Sequence, residues 1–334
     1  MFNKETKIFK PSSFLKVLDD SKYNQFNNDS TFSTMFAEQL QMLDNVVVET
    51  IQADRTFLQD IPVRFTEKCD NAHTWFMNDI NGSANIIGDY STGLNKVGAT
   101  GKAYVGRFVD FGVAYDLSIR EMEKANAAKV DLEGDLIRAV TRSMIERHDD
   151  TAFLGSKLNQ VFGWLQYSEK FTKTAFDRRV TTLDPVGANE DAKLWANKTG
   201  EEILQDLTSV VDAIDLKTNS KFMPDTILLP TAQYQRANNV RLLETSTVSV
   251  LEEFNRKYPE INVIKRPILK KALLNKDVMI AYKNDPICFN QIIGEVLAAH
   301  PKQAVNLVFT TNFTGRHGGI QMKLPETQCF MYGI

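Results

Sequence analysis

Residues 309–334 read FTTNFTGRHGGIQMKLPETQCFMYGI, and this stretch does most to decide how the chain folds. Apolar residues alternate with polar ones before and after a group of glycines, and such alternation is typical of half-buried strands. Glycine adopts the positive φ of tight turns without strain. The pattern therefore predicts two strands joined by a structural turn that contains Gly315, Gly318 and Gly319.

An extended hairpin is predicted for residues 61–102. Alternating stretches at 61–65 and 103–117 flank a loop with five glycines, at positions 82, 88, 93, 98 and 101. A loop of this length is uncommon in a compact domain unless it is functional. We therefore expect two strands that run out and back, with a mobile surface insertion as the alternative. The aromatic residues of this hairpin would be anchors against a neighbouring subunit: Trp75, Phe76 and Tyr90.

The first 35 residues form a polar stretch that is interrupted by phenylalanines. Disordered tails are usually poor in aromatic residues. An arm whose phenylalanines dock onto another surface explains both features. The contact candidates in this arm are Phe9, Phe14, Phe26 and Phe32.

The strongest helix is predicted to begin after Asp131, which is a suitable N-cap, and to end near Gly155. It would contain about 23 residues and extend over about 35 Å. Beyond it, short apolar strands alternate with helical patterns, and strands return at the end of the chain. This order predicts an α+β fold.

Composition and motifs exclude several classes of function. The net charge of −3, from 39 basic and 42 acidic residues, argues against a dedicated nucleic-acid-binding protein. No apolar run is long enough for a membrane helix. The sequence has no nucleophile elbow, P-loop, zincin or dinucleotide motif, so we expect no catalytic residue and no cofactor. No metal site is expected either, because these residues lack ligand spacing: Cys69, Cys288, Cys329, His73, His148, His300 and His317.

The order of these parts resembles the Hong Kong 97-like fold of tailed-phage major capsid proteins, and it is most similar to a siphovirus subfamily. Each matching segment is short, so the order and spacing of the segments carry the resemblance. The matching segments are AYDLSIREMEKA at 114–125, DTAFLG at 150–155, VFGWL at 161–165, PDTILLP at 224–230, GGI at 318–320 and the terminal GI at 333–334.

The resemblance implies a division of the chain into four parts. Residues 1–35 would be an N-terminal arm, and residues 61–102 the extended hairpin. A peripheral domain with a long spine helix would combine 36–60, 103–165 and 300–334. Residues 166–299 would form an axial domain.

The resemblance also implies a structural protein and no enzyme. Copies of the chain would form pentamers and hexamers in an icosahedral shell that encloses double-stranded DNA without reading its sequence. Other partners would be portal and scaffolding or decoration proteins, with no membrane involved. Assembly in the host bacterial cytoplasm would lead to the virion. The alternatives are an encapsulin-type compartment shell and an enzyme with a site on loops around Asp225–Arg236.

Overall fold

The computed structural model describes residues 57–67, 70–81, 96, 98–156, 158–169, 179–243 and 247–334. The helices in this part are α1 (Phe57–Asp60), α2 (Ile119–Ala128), α3 (Leu132–Phe153), α4 (Glu190–Lys193), α5 (Gly200–Thr218), α6 (Thr231–Asn239) and α7 (Val250–Lys257). The strands are β1 (Val63–Phe65), β2 (Ala72–Asn81), β3 (Gly98–Arg107), β4 (Val109–Ser118), β5 (Thr181–Leu183), β6 (Thr226–Leu229), β7 (Asn262–Lys265), β8 (Val278–Tyr282), β9 (Phe289–Ala299), β10 (Gln303–Val305), β11 (Val308–Met322) and β12 (Gln328–Tyr332). The mixture of helices and sheets agrees with the predicted α+β class.

The chain divides into two compact units. The smaller one contains Ala114–Ala139 and Pro301–Thr311 of the described residues. Within it, helix α2 begins with a capping box, in which Ser118 and Glu121 satisfy each other's backbone N–H groups. The larger unit contains the described parts of Ala53–Val113, Val140–His300 and Asn312–Ile334.

The strands form three sheets. One has the order β1-β9-β11-β10, and β4 also pairs with β11; β1 runs parallel to β9, and β11 runs antiparallel to β9. A second sheet has the order β5-β12-β8-β6-β7. The third is the antiparallel hairpin of β2 and β3.

Both faces of the second sheet are buried. Leu228, Ile280 and Phe330 lie in one apolar cluster, together with Trp164 and Phe289. The alternate residues of the same strands lie in the other cluster, against helices α5 and α7. Burial on two faces explains why β6, β8 and β12 read as continuous apolar runs in the sequence.

Strand β12 requires a correction to the predicted domains. The prediction assigned all of 300–334 to the peripheral domain, but Gln328–Tyr332 lies between β5 and β8 in the second sheet. The end of the chain therefore contributes a central strand to the sheet that is otherwise built from the predicted axial segment, 166–299. Its continuous apolar run fits this position, since both of its faces are covered. The other boundaries stay predictions.

Helix α3 begins and ends close to the predicted positions. The Asp131 carboxylate accepts a hydrogen bond from the Gly134 amide at 3.0 Å, as expected of an N-cap. Gly155, with φ of +70°, follows the last turn. Val140, Met144 and His148 are buried at a spacing of four residues, which places them on one face of the helix.

The glycine turn predicted at Gly315, Gly318 and Gly319 is wrong. These residues lie inside β11, a continuous strand of 15 residues, where the pairing with β9 shifts register between Thr314 and Ile320. The glycines serve bulges and close packing. A Cβ on Gly315 would lie 2.8 Å from the Met144 side chain, and a Cβ on Gly319, whose φ is +77°, would lie 2.5 Å from the Phe162 carbonyl.

Candidate functional site

The hairpin of β2 and β3 has two faces with different environments. Trp75 pairs with Tyr104, and Phe76 pairs with Ala103. Because side chains alternate along a strand, these two pairs lie on opposite faces. The inner face contacts the protein core. The outer face consists of exposed residues: Ala72, Thr74, Phe76, Ala103, Val105 and Arg107.

Trp75 belongs to the inner face. Its indole is only 4% exposed and packs in the same apolar cluster as Phe153 and Trp164. Its Nε1–H donates a hydrogen bond to the Met322 carbonyl at 2.8 Å. This corrects the expectation that Trp75 contacts a neighbouring subunit, because its side chain is already covered by its own subunit.

Phe76 belongs to the outer face and is 70% exposed. Val105, the diagonal neighbour of Phe76 on that face, is 57% exposed. Phe76 therefore remains a contact candidate. The other candidates, Tyr90 in the hairpin and the arm residues, lie outside the described residues: Phe9, Phe14, Phe26 and Phe32.

A cluster of buried histidines lies between helix α3 and strand β11. The sequence did not predict that these histidines lie together. The rings of His148 and His317 are 5.5 Å apart between centroids, and both residues are fully buried. His148 Nε2 donates to the Val296 carbonyl at 2.8 Å, and His317 Nδ1 accepts from the Gly319 amide at 2.8 Å. The His73 ring lies nearby, stacked on Trp75.

Burial disfavours the charged form of all three imidazoles. Burial, with a smaller contribution from the other two imidazoles, lowers the pKa of His317 to about 3. Burial and then Arg64 lower the pKa of His73 to about 4. Burial also lowers the pKa of His148, against the opposing effect of its hydrogen bond to Val296. The cluster is therefore neutral at pH 7.

Two ion pairs involve buried carboxylates. Lys198 and Asp206 form a fully buried pair, and Asp206 also accepts hydrogen bonds from Trp195 Nε1 and the Val186 amide, both at 2.8 Å. The Asp60 carboxylate accepts a two-pronged interaction from Arg266, with an Nη2–Oδ1 distance of 2.6 Å. These partners satisfy the buried charges, so the pairs serve the fold.

The loops around Asp225–Arg236, proposed as the site of an enzyme, are engaged in structural contacts. Asp225 accepts from Thr226 Oγ1 and from the Asn284 amide, and it pairs with Lys283 at 3.1 Å. Arg236 donates to the Ala196 carbonyl. In the described part of the chain, no group of three or more His, Cys, Asp and Glu residues is arranged to hold a metal ion. None of the described helices combines the length and apolar character needed to cross a bilayer.

The family described as "Major capsid protein" matches residues 82–334, which is most of the chain. The capsid of Myoviridae phage XM1 has a similar structure, with a TM-score of 0.73 at 15% identity over 89% of this chain and 98% of that one. The capsid of an empty GTA particle gives a TM-score of 0.60 at 9% identity, over 89% and 97%. Mycobacterium phage Bobi gives 0.59 at 12% identity, over 87% and 94%. No curated protein matches the sequence.

The chain belongs to the major capsid protein family, and its fold is the Hong Kong 97-like fold of tailed-phage capsids. The family is one of structural shell proteins and not of enzymes. A phage capsid protein is therefore favoured over the two alternatives, an encapsulin-type compartment shell and an enzyme with a site on loops. The chain is therefore a component of the virion capsid that assembles with copies of itself.

Proposed function

We propose that this protein forms pentamers and hexamers that close into an icosahedral shell around double-stranded DNA. The DNA is enclosed and not read, and portal and scaffolding or decoration proteins complete the particle. Assembly takes place in the host bacterial cytoplasm. Membership of the capsid family and the mixed surface charge support this proposal, since a net charge of −3 suits a shell that does not bind DNA tightly.

The observation that carries the proposal is the outer face of the hairpin. Phe76 and Val105 are exposed side by side on a strand pair whose opposite face is packed in the core. A subunit gains nothing in its own folding from an exposed phenylalanine, whereas burying an aromatic anchor between subunits contributes about 2 kcal/mol or more. The outer face, together with the aromatic arm at 1–35, would bury its aromatics against neighbouring copies.

The proposal is tested by assembly of the purified protein, followed by light scattering and negative-stain electron microscopy. We expect rings or closed shells at micromolar concentration. A subunit that stays monomeric over the whole concentration series contradicts the proposal.

Two substitutions at Phe76 test whether the outer face of the hairpin is an assembly surface. Phe76→Ser should leave the circular dichroism spectrum unchanged and shift assembly to at least about tenfold higher concentration, since about 1.4 kcal/mol corresponds to tenfold. Phe76→Tyr keeps the aromatic area and should assemble as the unaltered protein does. If Phe76→Ser assembles normally, the outer face is not an assembly surface.

A further inference from the structure

The loop that enters strand β8 is strongly basic. Residues 265–276 contain five basic side chains and no acidic one. Arg266 pairs with Asp60 and Lys276 pairs with Glu190, so both are used within the subunit. Lys265, Lys270 and Lys271 are exposed. We call residues 265–276 the basic loop.

The basic loop is held in a defined shape with an apolar tip. Leu273 is buried, and its backbone exchanges two hydrogen bonds with that of Lys276. In the shorter one, the Lys276 amide donates to the Leu273 carbonyl at 2.9 Å. The Lys271 amide donates to the Asp277 carboxylate at 2.9 Å. Between these anchors Leu274 has φ of +49° and is 63% exposed. Leu274 and Asn275 are the two central residues of the turn that the Leu273–Lys276 bridge closes, and such a two-residue turn places both of them in the left-handed region.

The segment that leaves strand β5 has the opposite charge. Residues 184–194 contain three acidic side chains, Asp184, Glu190 and Asp191, and one basic side chain, Lys193. The Lys193 ammonium lies 3.8 Å from Asp184 and 3.5 Å from Glu190. Two apolar side chains, Val186 and Leu194, are exposed beside them. We call residues 184–194 the acidic segment. The segment therefore offers the exposed Asp191 carboxylate and two exposed apolar side chains as the complement of the basic loop, which combines lysines with an exposed leucine.

The two elements lie at the same end of the second sheet and leave it from opposite edges. The sheet order β5-β12-β8-β6-β7 places β5 and β7 at its two edges. Leu183, the last residue of β5, pairs with Met331, and Val278, the first residue of β8, pairs with Tyr332 one residue further on. Lys265, the last residue of β7, pairs with Leu229, the last residue of β6. Because β6 runs antiparallel to β8, this end of β6 and β7 lies beside the start of β8.

We infer that the basic loop of one copy docks on the acidic segment of the next copy around a ring. The contact joins two different patches of the same chain, so it is head-to-tail, and repeated with a fixed rotation it closes a ring. Lys270 and Lys271 would face Asp191, and Leu274 would pack between Val186 and Leu194. Within each copy the Lys276–Glu190 pair ties the two elements together. The inference rests on the proposed function, because it names the surface through which copies associate.

Charge reversal provides the test. One variant carries Lys270→Glu and Lys271→Glu, and a second carries Asp191→Lys. Each change places like charges across the contact, which suppresses association, so each variant alone should need at least about tenfold higher concentration to form rings. All these side chains are exposed, so circular dichroism should show folded subunits. A control with Lys124→Glu and Lys257→Glu changes the net charge by the same amount as the Lys270→Glu and Lys271→Glu variant, at positions outside the contact, and should form rings normally.

An equimolar mixture of the two variants should restore assembly, because the reversed loop of one meets the reversed segment of the other, and the remaining contacts are unaltered. Only an alternating ring with an even number of copies satisfies every contact, so electron microscopy should show hexamers without pentamers. Normal rings from either variant alone would overturn the inference and leave the shell function intact. Failure of the mixture to recover would show that the loop and the segment do not face each other. A monomeric unaltered protein would overturn both proposals.

Discussion

Replacement of Trp75 by alanine should destabilise the subunit far more than the same change at its neighbour Phe76. The Trp75 indole is 4% exposed, and its Nε1 donates to the Met322 carbonyl at 2.8 Å. Truncation of a buried aromatic side chain to alanine costs about 3–5 kcal/mol. Loss of the donor to a buried carbonyl adds about 1 kcal/mol. Against a typical total stability of about 5–15 kcal/mol, this change removes a large part.

Phe76→Ala is the matched control. The side chain is 70% exposed on the other face of the same strand. Surface substitutions of this kind change the stability by less than about 0.5 kcal/mol. If Phe76 contacts a neighbouring copy as proposed, the two neighbouring aromatics separate the stability of the subunit from the stability of the assembly.

The assay is urea unfolding of the subunit at a concentration below assembly, followed by fluorescence and circular dichroism. The two remaining tryptophans, Trp164 and Trp195, are fully buried and report on the core in both variants. We expect a lower midpoint with an unchanged slope for Trp75→Ala, since the slope reflects the exposed surface. Equal losses for Trp75→Ala and Phe76→Ala, or a loss below about 1 kcal/mol for Trp75→Ala, would refute the assignment of the two faces.

Two further predictions concern buried charge. Burial lowers the pKa of His317 from 6.5 to about 3, so the unfolded chain binds more protons than the folded chain between these two pH values. The contribution of His317 to the stability is therefore complete above about pH 6.5 and is lost as the pH falls toward about 3. The free energy of unfolding should decrease by about 1.4 kcal/mol per pH unit for each such histidine. The double substitution His148→Gln and His317→Gln should make this dependence on pH less steep. An unchanged slope contradicts the prediction. Asp206→Ala should cost about 3–5 kcal/mol in urea unfolding because it leaves Lys198 buried without its partner. The control Glu253→Ala removes an exposed ion pair and should cost less than about 1 kcal/mol, and equal losses would show that the buried pair is not special.

The local signals in the sequence predicted the helices well. Asp131 and Gly155 bracket α3 because capping and left-handed stop signals act within one turn of the helix. Thr199 and Glu202 form the capping box that starts α5, which is a local signal of the same kind. Such features depend on neighbours three or four residues apart, so they can be derived without a tertiary structure.

The features that the sequence did not predict depend on distant partners. Trp75 and Phe76 were both predicted to contact a neighbouring subunit. Alternation along a strand puts them on opposite faces, but only the position of the core decides which face is inward. Glycine permits both a turn and a bulge, so Gly319 could not be assigned until its approach to Phe162 was seen. The contact of His148 with His317 joins residues 169 positions apart in the sequence. No local pattern could have indicated it.

In the proposed function, one strand of the hairpin serves both the subunit and the shell. Because side chains alternate, a slip of one residue would exchange the inner and outer faces and expose Trp75 in place of Phe76. The hydrogen bond from Trp75 to Met322 opposes that slip, since a shifted strand would leave the indole N–H and the carbonyl without each other. The outer face is therefore positioned by contacts inside the subunit, before any neighbour is present. It follows that the proposed assembly surface is pre-organised at the base of the hairpin, which would lower the entropic cost of burying it between copies.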